Sequence, residues 1–278
     1  MISPGRLILI SRPLAYPLQI AIVLAGVVSN SRSQLSLSVW ITLLYFTLPS
    51  GLIIYGVNDI ADRDSDRRNK RKGGIHGAIL EDHETKALSS IIGWTAVLGP
   101  LCFLLIGRPL NALLLLVLTG ISYVYSVRPW RLKVRPLADT LCNAAGAVCI
   151  FMTGYWANQS LGSAQPPAAH ILAVIFLFTA GVHALGAVAD YTADKASGDN
   201  TISVALGRPL TSLFASACLG TCYFLIGTHH LVIGIYILGA TLLALLTLTF
   251  TSVPFMRRVL LAIVVGFPIA YALQLALF

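Results

Sequence analysis

Oxygen-bearing side chains follow one apolar segment of the chain at a helical spacing. Asn58, Asp62 and Asp66 come just after the apolar run that ends at Val57, and each lies four residues from the next. If the helix of that run continues, the three side chains stay on one face, because they drift by only about 40° per step at 3.6 residues per turn. Such a stripe is expected to bind a hard divalent cation. Mg²⁺ typically combines one or two carboxylates with waters and substrate phosphates.

A second, sparser acidic cluster follows another apolar run. Asp190 and Asp194 are again four residues apart. This echo favours a single domain, residues 1–278, in which four-helix units repeat around 58–66 and 190–199. We expect the two clusters to face each other across a pocket and to hold a diphosphate between them through Mg²⁺.

The composition is that of a membrane protein. Of the 278 residues, 56% are hydrophobic and only 11% are charged, whereas about a quarter of the residues in a soluble domain are charged. A helical span needs about 20 mostly apolar residues. We therefore expect an all-α membrane protein with nine transmembrane helices in a bundle around a central apolar pocket. The nine segments lie near residues 9–29, 36–57, 87–106, 109–126, 139–157, 169–189, 209–228, 231–250 and 258–277.

The charged residues divide unevenly between the two sides that nine spans create. Of the 19 Lys and Arg residues, only Arg32 and Arg108 fall on the side opposite the N-terminus. The positive-inside rule makes the basic side cytosolic. All 11 Asp and Glu residues lie on that side too, which the rule does not require. We therefore expect a cytosolic active-site face, capped by the loops between spans two and three and between spans six and seven.

Two groups of basic residues are candidate diphosphate contacts. Arg67, Arg71 and Lys72 follow the first cluster and precede two glycines. We interpret them as a lid over the diphosphate, and a patch that binds anionic lipid headgroups is the alternative. Arg131 and Lys133 lie in an aromatic and basic stretch that contains no acid. They either anchor the chain at the interface or neutralise phosphate oxygens.

Three further side chains are candidates for the pocket or the site. His183 precedes Asp190 by seven residues, which is about two helical turns, so the two share a face. An ionisable group within a span favours a functional role over simple packing. Tyr55 is among the aromatic residues that could stabilise a carbocation by cation–π attraction. Arg12, near the cytosolic end of span one, either snorkels to the interface or reaches the phosphate site.

Two opposed carboxylate clusters with Mg²⁺ suit the ionisation of an allylic diphosphate, with Asp62, Asp190 and Asp194 as the candidate catalytic residues. Metal ions neutralise the charge that builds up on the departing pyrophosphate. A pocket walled by membrane helices shelters the remaining carbocation from water. The cation then reacts with a lipophilic acceptor or, in a terpene cyclase, with its own chain.

The two motifs resemble those of a known family. Asn58-Asp59-x-x-Asp62-x-x-x-Asp66 is similar to the first signature of the UbiA superfamily of intramembrane prenyltransferases, and Asp190-x-x-x-Asp194 is similar to its second. The resemblance covers nearly the full chain and implies a UbiA-like bundle of nine helices. It also implies Mg²⁺ ligands at Asn58, Asp62, Asp66, Asp190 and Asp194. The diphosphate contacts that it implies are Lys133, Lys195 and the segment from Arg67 to Lys72.

The segment after the first motif bears on the acceptor. Residues 69–80 lack the Arg-Thr-x-x-Arg-Pro-like sequence of members that act on aromatic acids or quinone precursors. Together with His183, this segment resembles the lycopene elongase type. The resemblance implies prenyl transfer from an isoprenyl diphosphate to a lipophilic acceptor. The alternative is a UbiA-type terpene cyclase acting on one substrate, such as geranylgeranyl diphosphate.

Two other classes of protein fit the sequence less well. An ion or proton transporter would place its acids near the bilayer midplane in discontinuous helices, whereas these acids lie at one interface. A purely structural membrane protein would give no reason for two clusters with four-residue spacing. The expected partners are thus the isoprenyl diphosphate, the acceptor and the lipid bilayer, and no nucleic acid.

Overall fold

The computed structural model describes residues 2–30, 34–66, 78–226 and 230–277. Within these ranges the protein forms thirteen α-helices and no β-strand, which confirms the all-α fold class. The helices are α1 (Pro4–Ile10), α2 (Tyr16–Val28), α3 (Leu37–Tyr45), α4 (Leu48–Gly51), α5 (Val57–Asp66), α6 (Asp82–Leu105), α7 (Pro109–Ser126), α8 (Ala138–Tyr155), α9 (Ala169–Ser197), α10 (Ile202–Leu206), α11 (Arg208–Ile226), α12 (Leu231–Leu246) and α13 (Val253–Leu277).

Many of these helices are long and apolar enough to cross a membrane. Over the described ranges six helical stretches meet that requirement, and α1 with α2, which meet at a 52° bend, would make a seventh. The protein is therefore an integral multi-pass membrane protein. Each of the nine segments expected from the sequence falls on a helix, but α12 has only 16 residues and α8 is not among the six. The count of nine spans stays a prediction.

The chain divides into two compact units. The first comprises Met1–Arg131 and Cys149–Pro166, and the second comprises Leu132–Val148 and Pro167–Phe278. Each unit carries one of the two acidic clusters. A single domain over residues 1–278 stays a prediction, and each unit is described by itself below.

In the first unit, the helix that leads to the acidic cluster is interrupted twice. It breaks between α3 and α4, and a π-helical turn, Leu52–Gly56, separates α4 from α5. The Ser50 hydroxyl donates a hydrogen bond of 2.7 Å to Gln19 Oε1, as expected where a broken membrane helix needs polar neighbours. A Cβ atom added at Gly51 would overlap the carbonyl oxygen of Ser11. Glycine therefore lets the end of α1 lie directly against α4.

In the second unit, small side chains let four helices pack closely. The core is formed by α9, α11, α12 and α13, and its buried members are Ala184, Leu185, Ala215, Leu219, Ala240, Ala244, Val259 and Ile263. Small residues are typical of helix interfaces in membranes because they allow close backbone approach. Gly198, the residue that follows α9, has φ of +76°, the left-handed conformation common after a helix C-terminus. This core supports the end of α9 that carries Asp190 and Asp194, which we predict to lie on the cytosolic side.

Candidate metal and diphosphate site

The helix continues into the first acidic cluster, as its spacing predicts. Asn58 and Asp62 lie one turn apart on α5, and both are partly buried. The backbone of Asp66 occupies the next turn, but its side chain lies outside what the structure describes. An amide oxygen and a carboxylate thus share one helical face.

Residues at the end of α7 and just after it lie against this face. Arg131 Nη2 is 3.4 Å from Asp62 Oδ1, with 24% and 15% of the two side chains exposed. The Ser126 hydroxyl donates a hydrogen bond of 3.4 Å to Asn58 Oδ1. The structure therefore places Arg131, a candidate diphosphate contact, beside the candidate metal ligand Asp62.

Arg12 has a partner that the sequence did not indicate. Its Nη2 atom lies 2.9 Å from Oδ1 of Asp59, whose side chain is fully buried. The guanidinium carbon also lies 4.6 Å from the centroid of the Tyr55 ring, within cation–π range. Sequence reasoning assigned Asp59 no role, although an acid inside a membrane helix calls for a cation nearby. Tyr55, a candidate pocket residue, lies under the Arg12 guanidinium.

The second cluster lies at the end of α9. Arg257 Nη2 is 3.9 Å from Asp190 Oδ1, and about half of each side chain is exposed. The Thr201 hydroxyl donates a hydrogen bond of 3.0 Å to Asp194 Oδ2. The link from Thr201 to Asp194 ties the loop that begins α10 to the acidic helix end. Both carboxylates are partly or largely open to solvent.

Cations surround the aromatic ring next to Asp190. Lys195 Nζ lies 5.7 Å and Arg208 Cζ lies 4.8 Å from the centroid of the Tyr191 ring. Arg208 Nη2 also donates a hydrogen bond of 2.8 Å to the Thr192 hydroxyl. Lys133, another candidate contact, is partly buried in the short 3₁₀ turn that precedes α8. The second unit thus holds Lys195 at the acidic helix end.

His183 lies two turns before Asp190 and beside an acid that sequence analysis missed. Its Nε2 atom is 3.8 Å from Oδ2 of Asp139, whose side chain is only 2% exposed. Asp139 Oδ1 accepts a 2.7 Å hydrogen bond from the Thr140 backbone N–H, and Oδ2 accepts one of 3.3 Å from that of Ile202. Asp139 therefore joins the beginnings of α8 and α10 to α9. Its only sequence signal is its position as a single acid before span five.

Each cluster offers ligands of the type that Mg²⁺ prefers. The first unit supplies the oxygens of Asn58 and Asp62, and the second supplies the carboxylates of Asp190 and Asp194. Among the residues described, no three His, Cys, Asp or Glu side chains gather around one point. One or two carboxylates still suit Mg²⁺, which fills its shell with waters and substrate phosphates. The lid residues Arg67, Arg71 and Lys72 lie outside the described ranges, so the lid stays a prediction.

Curated proteins with similar sequences include enzymes of carotenoid metabolism. The lycopene elongase/hydratase of Corynebacterium glutamicum is 30% identical over 219 residues, which cover 74% of this chain and 71% of that protein. The lycopene elongase/hydratase of Haloarcula japonica is 29% identical over 195 residues, or 70% of this chain and 64% of that protein.

Solved structures of UbiA homologues share the fold. A homologue from Archaeoglobus fulgidus, bound to DMAPP and Mg²⁺, covers 98% of this chain and 99% of its own at 20% identity, with a TM-score of 0.71. The apo structure of a homologue from Aeropyrum pernix K1 covers 95% of this chain and 98% of its own at 16% identity, with a TM-score of 0.73. The model of the UbiA prenyltransferase family matches residues 20–260. This membrane protein, with its two acidic motifs at helix ends, therefore belongs to the UbiA prenyltransferase family.

Proposed function

We propose that the protein ionises an allylic isoprenyl diphosphate with the help of Mg²⁺ and transfers the prenyl group to a lipophilic polyene acceptor. The observation that carries this proposal is α5, which holds Asn58 and Asp62 on one partly buried face beside Arg131. Solved structures of a UbiA homologue from Archaeoglobus fulgidus contain DMAPP or GPP together with Mg²⁺. The similarity to lycopene elongase/hydratases supports a carotenoid-like acceptor.

The proposed ligands come from both motifs. They are Asn58, Asp62, Asp66, Asp190 and Asp194. Bound Mg²⁺ would neutralise the negative charge that builds up on the departing pyrophosphate. Arginine and lysine side chains would donate charge-assisted hydrogen bonds to the diphosphate oxygens. These are Arg67, Arg71, Lys72, Arg131, Lys133 and Lys195.

Transfer to a polyene requires an apolar cavity. The C1–O bond of the donor breaks, and an electron pair from an acceptor double bond forms the new C–C bond. The acceptor then carries a positive charge, which is lost when the acceptor releases a proton directly or when water adds to it and then releases a proton. We propose that nine transmembrane helices surround this cavity and that Tyr55 and His183 line it. Its mouth would open on the cytosolic side, beneath the loop between spans two and three and the loop between spans six and seven. Exclusion of bulk water would protect the cation from hydrolysis.

The test of this function compares incubations with and without an acceptor. Membranes containing the protein receive Mg²⁺ and DMAPP, GPP or geranylgeranyl diphosphate, with or without lycopene, and products are identified by mass spectrometry. We expect a product with the mass of lycopene plus a prenyl unit, or plus a prenyl unit and one molecule of water. This product should form only when both Mg²⁺ and lycopene are present. A cyclic hydrocarbon or alcohol formed without lycopene would instead establish a terpene cyclase. Absence of pyrophosphate release from every donor would contradict both activities.

Lys195→Ala should chiefly weaken diphosphate binding. The ammonium group lies at the exposed end of α9, where its removal costs little packing. We expect KM for the diphosphate to rise by about 10-fold, which corresponds to the loss of one charge-assisted hydrogen bond of about 1.4 kcal/mol. Steady-state kinetics measure the change, and Arg135→Ala, an exposed cation of the same unit, serves as the control. Unchanged KM and kcat in the Lys195 variant would exclude this residue from the site.

A further inference from the structure

Arg12 occupies an unusual position in the backbone. It lies in the bend between α1 and α2 and has φ of +53°, in the left-handed region that residues other than glycine rarely adopt. Such conformations persist only where surrounding contacts enforce them. Here the side chain contacts the Asp59 carboxylate at 2.9 Å and covers the Tyr55 ring. The bend therefore directs the Arg12 side chain onto α5.

The contact between Arg12 and Asp59 is not a surface ion pair. None of the Asp59 side chain is exposed, whereas a quarter of the Arg12 side chain is. Exposed ion pairs contribute little to the stability of a protein. Removing the cation from a buried carboxylate, in contrast, strongly destabilises the folded state. In the folded protein, Asp59 must therefore remain against Arg12.

The angular position of Asp59 connects this pair to the candidate metal ligands. Around the axis of α5, Asp59 is about 100° from Asn58 and about 60° from Asp62. Because α5 is a rigid helix, fixing the direction of Asp59 also fixes the directions of the other two. The preceding π-helical turn, Leu52–Gly56, interrupts the regular hydrogen bonding that would otherwise set this rotation from α4.

We propose that Arg12 is a positioning residue, which acts through Asp59 to fix the rotation of α5 and so the Mg²⁺ ligands Asn58 and Asp62. Mg²⁺ demands nearly ideal octahedral geometry, so even a small rotation of the helix weakens its binding. This inference rests on the proposed function for the role of the ligands. The contact between Arg12 and Asp59 can be tested separately from that function.

A direct role for Arg12 in binding the diphosphate is the competing explanation. Its Nε atom is buried and has no hydrogen-bond partner in the part of the chain that the structure describes. A phosphate oxygen could accept a hydrogen bond from that atom. The experiments must therefore separate a shift in the metal ligands from the loss of a phosphate contact.

The first experiment measures how easily α5 opens locally in the absence of any ligand. Hydrogen–deuterium exchange is followed by mass spectrometry in the wild type, Arg12→Gln, Asp59→Asn and Arg6→Gln. Arg6 provides a matched control, because it forms an ion pair of 2.9 Å with Glu84 in the same unit and is 28% exposed. We expect peptides from residues 57–66 to exchange at least about 5-fold faster than in the wild type in Arg12→Gln and Asp59→Asn, because local opening becomes easier. In Arg6→Gln their exchange should stay at the wild-type rate. Unchanged exchange in these peptides would overturn the positioning role.

The second experiment is a double-mutant cycle on activity. Arg12→Gln and Asp59→Asn should each raise the Mg²⁺ concentration for half-maximal activity by about 10-fold, the lower end for loss of a partner that orients metal ligands. The double variant should show no greater effect than either single variant, because both remove one interaction. The KM for the diphosphate at saturating Mg²⁺ should change little. Arg12→Lys, which keeps the charge, should restore part of the Mg²⁺ affinity.

Direct phosphate binding gives the opposite pattern. Arg12→Gln would then raise the diphosphate KM at saturating Mg²⁺ by the same factor with or without Asp59→Asn, and this result would overturn the proposal. If the wild type released no pyrophosphate from any donor, the proposed function would fail. The exchange experiment would still show whether Arg12 fixes α5, so the two failures are distinguishable.

Discussion

Replacing Asp62 by asparagine is expected to lower pyrophosphate release at least about 100-fold, equivalent to about 2.7 kcal/mol of transition-state stabilisation. Asparagine has nearly the same shape but lacks the negative charge that holds a divalent cation. Because the shape of the side chain is kept and Arg131, at 3.4 Å, can still donate to the amide oxygen, few packing contacts change and the variant should fold. Pyrophosphate release from GPP in nanodiscs measures the effect, with thermal unfolding as the check on folding.

The matched control for this variant is Asp64→Asn. Asp64 lies on the same helix, 76% of its side chain is exposed, and it pairs with Arg63 at 3.1 Å. It points about 200° away from Asp62 around the helix axis, so its neutralisation should leave turnover near the wild-type rate. Near-normal turnover in Asp62→Asn, or an equal loss in both variants, would contradict the assignment of Asp62 as a metal ligand.

Replacing Asp190 by asparagine should produce a loss of similar size, at least about 100-fold, if the second motif holds Mg²⁺ as proposed. About half of the Asp190 side chain is exposed, and Arg257 lies 3.9 Å away. An exposed pair of this kind contributes little to stability. The variant should therefore unfold at nearly the wild-type temperature and still fail to release pyrophosphate.

Asp199→Asn provides the comparison in the second unit. Asp199 follows the end of α9 and accepts a hydrogen bond of 3.2 Å from the Ser197 hydroxyl, and it has no place among the proposed ligands. We expect its turnover to remain within about two-fold of the wild type, as for most surface substitutions. A fully active Asp190→Asn enzyme would contradict the assignment of Asp190 as a metal ligand.

Local sequence information was enough to predict the acidic helix but not its partners. The four-residue spacing of Asn58 and Asp62 is a property of a single helix, so it could be read without knowing the fold. The pair of Arg12 and Asp59 joins residues 47 positions apart, and no periodicity reports such a contact. The same holds for His183 and Asp139, which come from different helices.

The number of spans was harder to predict than their existence. Apolar composition located a helix at each of the nine segments, because the hydrophobic signal of a span is strong. Length is a weaker signal, since α12 has 16 residues and the segment from Leu37 to Asp64 contains a break and a π-helical turn. The lid residues Arg67, Arg71 and Lys72 lie outside the described ranges, so their role stays a prediction.

The π-helical turn at Leu52–Gly56 also changes how this stretch of sequence should be aligned with others. A turn of this type accommodates one more residue than an α-helical turn, and one residue corresponds to about 100° of rotation. The direction of the acidic face after residue 56 is therefore rotated relative to the direction that a regular α-helix would give it from the apolar face before residue 52. A relative with one residue fewer here would point its acidic face in a different direction even if every aspartate were retained.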